Sequence, residues 1–195
     1  MHGPASVIYG QAAPGGIVNA VTKRPRAGQR NEVGVEFGSH QRRQATADVG
    51  GALNEQGTLL GRLTVLQRKA GTQWDGLRSD RTFVAPALTF QGERTSLTLL
   101  AQYQKDETGF AIPYWRETPF GEADDSINVN GPGSFHRKRS TTVGYLFEHE
   151  FSDAFRVRQN LRYLDGENLR HEMRNRGLRP DSVSYTHLRA HETEA

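Results

Sequence analysis

Residues 143–163 read VGYLFEHEFSDAFRVRQNLRY. Val143, Tyr145, Phe147 and Phe151 alternate with Gly144, Glu148 and Glu150, and Ser152, Asp153 and Ala154 then turn the chain. Phe155, Val157, Leu161 and Tyr163 follow, alternating with Arg156, Arg158, Asn160 and Arg162. A period of two sends successive side chains to opposite faces of a strand, so the stretch predicts a hairpin with one apolar and one polar face. Arginines without partners are prohibitive in the dry core of a sandwich, whereas a wet lumen accepts them. From Phe155 to Tyr163 the rise is roughly 26 Å at about 3.3 Å per residue. A tilt of about 40° reduces this to roughly 20 Å, close to the apolar band of a membrane-spanning β-strand.

The same pattern runs through the upstream sequence. Val33, Val35 and Phe37 share one face, as do Ala45, Ala47 and Val49. Leu59, Gly61, Leu63 and Val65 form the next run, then Val84, Pro86, Leu88 and Phe90, then Leu97, Leu99, Ala101 and Tyr103. Seven strands are predicted in all. After the first hairpin, short connections (54–58, 91–94, 152–154) alternate with long ones (69–80, 105–140 and 166 onward). Phe90, Phe151 and Phe155 lie beside the short turns, and Phe37, Tyr103, Tyr145 and Tyr163 toward the long connections. Loops sorted by length between the two ends, with aromatic residues at both, describe an outer-membrane barrel. A sandwich does not sort its loops this way.

Composition narrows the alternatives. Only 35% of the 195 residues are hydrophobic, and no apolar run reaches the roughly 18 residues of a spanning helix. Alternating strands average out to a polar sequence, so a barrel remains open, as does a soluble β-rich binding module. The absence of cysteine excludes thiolate metal sites and disulfides. A net charge of +3 spread along the chain does not call for nucleic acid. The seven histidines follow no metal-ligand spacing and no nucleophile–base frame is visible, so neither a catalytic nor a metal site is expected. Asp124 and Asp125, an adjacent acidic pair in a long loop, are read as solvated.

Residues 3–25, GPASVIYGQAAPGGIVNAVTKRP, differ from all of this. They lack the Lys-Ser/Thr ending of a phosphate loop and the G-x-G-x-x-G spacing of a dinucleotide site. Gly10, Pro14, Gly15 and Gly16 read as tight turns between short strands, with Ile17, Val18 and Val21 as a small core. GPASVIYGQ followed by PGGIVNAVTKRP resembles the last part of the plug domain of TonB-dependent siderophore receptors. LNEQGTLLGRL, APALTF, TSLTLLAQYQKDETG and VGYLFEHEFSDAFRVRQNLRY are similar to their barrel strands, the last to ferrichrome-type (hydroxamate) receptors in particular.

The resemblance covers about residues 3–165. It implies an all-β membrane fold, a fragment of a plugged 22-stranded antiparallel outer-membrane β-barrel. Residues 1–28 would be the C-terminal part of the plug and 29–182 the first part of the barrel, with about seven strands. Residues 183–195, which contain VSYTHLRAHET, read as a non-native, adapter-derived tail. No secretory signal follows Met1, and the opening reads as the middle of a domain. Seven strands cannot close a lumen, so the chain is expected to be a piece of a longer, monomeric receptor.

The function implied is TonB-dependent uptake of a ferric siderophore across the outer membrane of a Gram-negative bacterium. Cobalamin, haem or a glycan are the alternative cargoes. The partners would be the siderophore, the TonB complex and outer-membrane lipid, with no nucleic acid; no cofactor is implied, since the iron is cargo. Tyr9 falls at a plug position that contacts ligand in ferrichrome-type relatives, with Gln11 its neighbour. Phe110, Tyr114 and Trp115, in TGFAIPYWRE, fall near the family's aromatic cluster in the third external loop. For Tyr114 and Trp115 an interfacial or loop-packing pair is the competing reading. Trp74 is a further candidate in the second loop, and the lumen arginines are candidates for attracting anionic chelates.

Overall fold

The computed structural model describes residues 21–109, 117–118, 121–122, 126, 128, 133–178 and 184–191. An extended strap, residues 21–31, leads into β1 (Glu32–Gly38). Then follow β2 (Arg42–Ala52), β3 (Leu59–Lys69), β4 (Ser79–Gln91) and β5 (Thr95–Thr108). The short β6 (Glu117–Thr118) and β7 (Gly121–Glu122) pair with each other inside the longest connection. The chain continues with β8 (Phe135–Ser152), β9 (Phe155–Leu178) and β10 (Ser184–His191). The main sheet has eight strands in the order β1-β2-β3-β4-β5-β8-β9-β10, all neighbours antiparallel. Among the described residues no helix is long and apolar enough to cross a membrane.

The seven predicted strands are β1 to β5, β8 and β9, and their alternation holds. What the structure adds is length. β5 and β8 pair out to Thr108 and His136, and β9 runs to Leu178, so the long connection is 109–134 and residues 166–178 are strand, not loop. Beyond the apolar band both faces are polar and no period of two is left to read. Cross-strand charge pairs replace it, with Arg137 donating to Glu107 at 2.9 Å and Arg139 pairing with Glu167. The eighth strand, β10, lies where the sequence shows no alternation. A backbone ladder along the open edge of β9 needs no side-chain pattern.

The sheet is inside-out by the standards of a water-soluble domain. Most of its exposed large side chains, including Val35, Phe37, Leu88, Leu99, Val157 and Tyr163, stand on the apolar face, and Phe37 is 76% exposed. Among the described residues only Leu60 and Leu77 are buried hydrophobic side chains. Burial of apolar area drives folding in water, and this sheet buries almost none, so its apolar face requires lipid. His149 and Gln159 interrupt that face; His149 Nδ1 lies 2.7 Å from Thr95 Oγ1 between the rings of Phe147 and Phe151.

Register converts the aromatic positions into a strand tilt. One row of directly paired residues runs Val35, Ala45, Gln67, Thr82, Lys105, Arg139, Glu167. Against that row the upper aromatics descend: Phe37 is two residues above on β1, Tyr103 two below on β5, and Tyr163 four below on β9. Six residues of slip over six strand steps, at about 3.3 Å per residue and about 4.8 Å per step, give a tilt of roughly 35°. The lower aromatics slip the same way. Phe90 shares a row with Leu97, Phe147 and Gln159, and Phe155 lies four residues below Gln159 on β9. Four residues over three steps give roughly 42°. Both values match the 35–45° of barrels that hold two level aromatic girdles.

The β1–β2 turn is strained. His40 and Gln41 both have positive φ, 56° and 59°, while Arg42 N donates to Ser39 O at 3.2 Å. Such two-residue turns favour Asn and Gly, because a left-handed conformation costs other residues about 1–2 kcal/mol. Gln41→Gly is therefore expected to stabilise this hairpin by about 0.5–1 kcal/mol after glycine's own entropy cost. Slower hydrogen exchange at the Arg42 amide checks it; faster exchange would show that the wild-type side chain stabilises the turn.

Candidate functional site

The polar face is where the strap meets the wall. Asp48 on β2 is opposite Thr64, and Arg62 on β3 sits diagonally across from it beside Gly50. Arg62 Nε and Nη2 donate to the two Asp48 oxygens at 2.8 and 2.7 Å, a fork-on-fork pair. Its remaining arm donates to the Arg24 carbonyl at 3.1 Å, and Lys23 Nζ reaches Asp48 at 2.6 Å. Thr64 Oγ1 donates to the same carboxylate at 3.3 Å. Arg62 and Thr64 from the wall and Lys23 from the strap thus converge on one carboxylate, while Arg62 also holds the strap backbone at Arg24.

Gly50 lets the strap lie this close. A Cβ there would stand 2.2 Å from the Gly61 carbonyl oxygen and 2.6 Å from Gln29 Nε2. The Gly50 amide donates to Asn31 Oδ1 at 2.7 Å, and Pro25 is buried in the strap. A hollow of about 650 Å³ runs along the inner wall between Val21 and Lys23 on one side and Phe83, Leu100, Asn160 and Arg162 on the other.

At the loop end, successive connections hold one another. Gly71 N donates to His40 O at 2.8 Å, and Gly109 N to Arg78 O at 2.7 Å. Asp75 N donates to Ser126 O at 2.9 Å, joining the β3–β4 connection to the one after β5. Leu77, 3% exposed, is the most buried apolar side chain of the described residues, and it packs on Gly109. Trp74 is half-buried in this rim, with its backbone amide and carbonyl both bonded to Thr72 Oγ1. Tyr9, Gln11, Phe110, Tyr114 and Trp115 lie outside the described residues, as do Asp124 and Asp125.

The arginines of the polar face do not act alike. Arg62 is committed to Asp48 and the strap; Arg156 and Arg158, near the short turn, pair with Glu148. Arg68 keeps only neutral acceptors, Ser79 O at 3.2 Å and Ser79 Oγ at 3.4 Å. Sequence reasoning passed over Asp48. The signal was available, an acid on the polar face within the apolar band, but its meaning depends on the register that brings Arg62 beside it.

No protein-family model matches the chain. The ferrichrome outer membrane transporter/phage receptor of Escherichia coli K12 is 32% identical over 197 residues, covering 94% of this chain and 26% of that protein. The ferrioxamine B receptor of Salmonella typhimurium SL1344 is 34% identical over 172 residues, covering 84% of this chain and 24% of the receptor. The chain thus spans about a quarter of the length of these relatives. The crystal structure of the ferric-catecholate import receptor Fiu from Escherichia coli K12, closed form, superposes with a TM-score of 0.76 at 21% identity, over 96% of this chain and 30% of that one.

Over most of its length the chain is homologous to one part of these outer-membrane siderophore receptors. In a TonB-dependent receptor the exposed apolar face of this sheet is the lipid side, and the half-buried polar face the lumen side. The described strands account for part of a plugged barrel, with the strap on the lumen wall.

Proposed function

We propose that the intact protein carrying this chain is an outer-membrane receptor that takes up ferric siderophores of the hydroxamate type, driven by TonB. The observation that carries the reading is the likeness, over most of the chain, to ferrichrome and ferrioxamine receptors. The inside-out sheet supports it, since a face that requires lipid and a wet polar face suit a barrel wall. Residues 1–28 then end the plug, 29–182 begin the barrel, and the strap at Lys23 and Arg24 is where plug becomes wall. The protein works as a monomer in outer-membrane lipid, performs no catalysis and needs no cofactor, because the iron arrives already wrapped by its chelator.

Tyr9, with Gln11 beside it, and the aromatic group Phe110, Tyr114 and Trp115 hold the cargo from below and above. Large aromatic side chains bury the most area at a binding site and dominate its energetics. Replacing Tyr9, Tyr114 and Trp115 together by Ala in the intact receptor is expected to weaken ferrichrome binding at least about tenfold, or ~1.4 kcal/mol. Radiolabelled uptake and equilibrium binding measure it. Unchanged uptake would reject these residues, and failure of the wild-type receptor to take up any ferric hydroxamate would reject the function.

A further inference from the structure

One lumen-side row at the loop end is unbalanced in charge. It runs Gln44, Arg68, Arg81, Asp106, Lys138, Asn168 across β2, β3, β4, β5, β8 and β9. Arg68 and Arg81 face each other directly, a like-charge pair that destabilises a sheet unless something offsets it. The row's one carboxylate, Asp106, is already occupied: Arg81 Nε and Gln104 Nε2 each donate to it at 2.5 Å. Arg68 is left with the neutral acceptors of Ser79, and Lys138 is exposed with no hydrogen bond or ion pair among the described residues. In the next tier, Arg42 is balanced by Glu36 at 2.8 Å.

Position matters as much as charge. Asp106 lies three residues beyond Tyr103, so the row stands above the upper girdle, toward the long connections through which cargo enters. Three strand steps separate Arg68 from Lys138, roughly 14 Å at about 4.8 Å each. A ligand lying against this wall meets a half-buried guanidinium at one end, where charge is screened less than in open water, and an exposed ammonium at the other. A guanidinium fork matches the two oxygens of a carboxylate.

We propose that Arg68 and Lys138 form a lumen-wall subsite for a carboxylate carried by the ferric chelate, so that the receptor prefers carboxylate-bearing hydroxamates to cationic ones. The inference rests on the siderophore reading above and narrows its cargo. Alternation marks Arg68 only as one polar-face arginine among several, and Lys138 lies outside the runs that periodicity marks.

Three ferric trihydroxamates test it on the purified intact receptor: ferrioxamine B with its terminal ammonium, the same chelate succinylated to end in a carboxylate, and ferrichrome, which bears neither. The wild type is expected to bind the succinylated form at least about fivefold more tightly than the ammonium form. In the Arg68→Gln, Lys138→Gln double variant the ratio should fall below about twofold, with ferrichrome affinity unchanged, which also shows that the variant is folded. Arg68→Lys with Lys138 intact should retain most of the preference. A wild type that does not discriminate, or a double variant that still does, overturns the subsite while leaving the siderophore function standing. A wild type that binds none of the three overturns both.

Discussion

Asp48→Ala is expected to destabilise the receptor by about 1.5–3 kcal/mol, the loss of charged hydrogen bonds at a part-buried site. The side chains of Arg62 and Asp48 are 14% and 16% exposed, so water replaces the lost carboxylate only in part. The guanidinium would keep one acceptor, the Arg24 carbonyl, and lose both arms of the fork. The strap should loosen in the same variant, because Lys23 loses its anchor too. Lys23→Ala is the control: its side chain is 62% exposed, and an exposed pair contributes only about 0–1 kcal/mol. Denaturant midpoints of purified receptor in detergent separate the two. Equal losses for Asp48→Ala and Lys23→Ala would show that Asp48 and Arg62 do not hold the wall together.

Leu99→Arg carries the second large effect, about 2–4 kcal/mol for a charge on the lipid side near the bilayer midplane. Leu99 pairs directly with Leu88 and Tyr145, in the apolar band between Tyr103 and the lower aromatics. It is 46% exposed in the bare sheet. In a water-soluble domain an arginine at so exposed a position would be nearly neutral, so this substitution discriminates sharply between lipid and water on that face. Gln102→Arg, on the same strand but facing the lumen, should cost less than about 1 kcal/mol, since a wet wall tolerates charge. Folded receptor recovered from outer membranes, scored by heat-modifiable gel mobility, reads both. A Leu99→Arg receptor assembling as well as Gln102→Arg would place water, not lipid, against that face.

The two results probe different parts of what the sequence contains. Leu99, Leu161 and Phe155 announce their side by alternation alone, since each turns toward lipid whichever strand lies beside it. Arg62 announces only that it is polar. Whether it serves as an anchor, a structural pair or a ligand contact depends on Asp48 being diagonal to it and on the strap passing overhead. Arg68, six residues further along the same strand, has the same signature and the opposite circumstance, because its neighbour across the ladder is Arg81.

Strand ends show the same division. The apolar band of β9 was legible, but its extension from 166 to 178 was not, because there both faces are polar. Pairing in that region rests on the backbone ladder and on contacts such as Arg139 with Glu167, whose partners are distant in the chain. The sequence by itself determined the membrane strands and their sidedness, since the preference of a side chain for lipid or water is a local property. Only the tertiary structure decided the tilt, the strap's anchor and the unbalanced charge above the girdle, because each depends on register, which sets which residue faces which across the ladder.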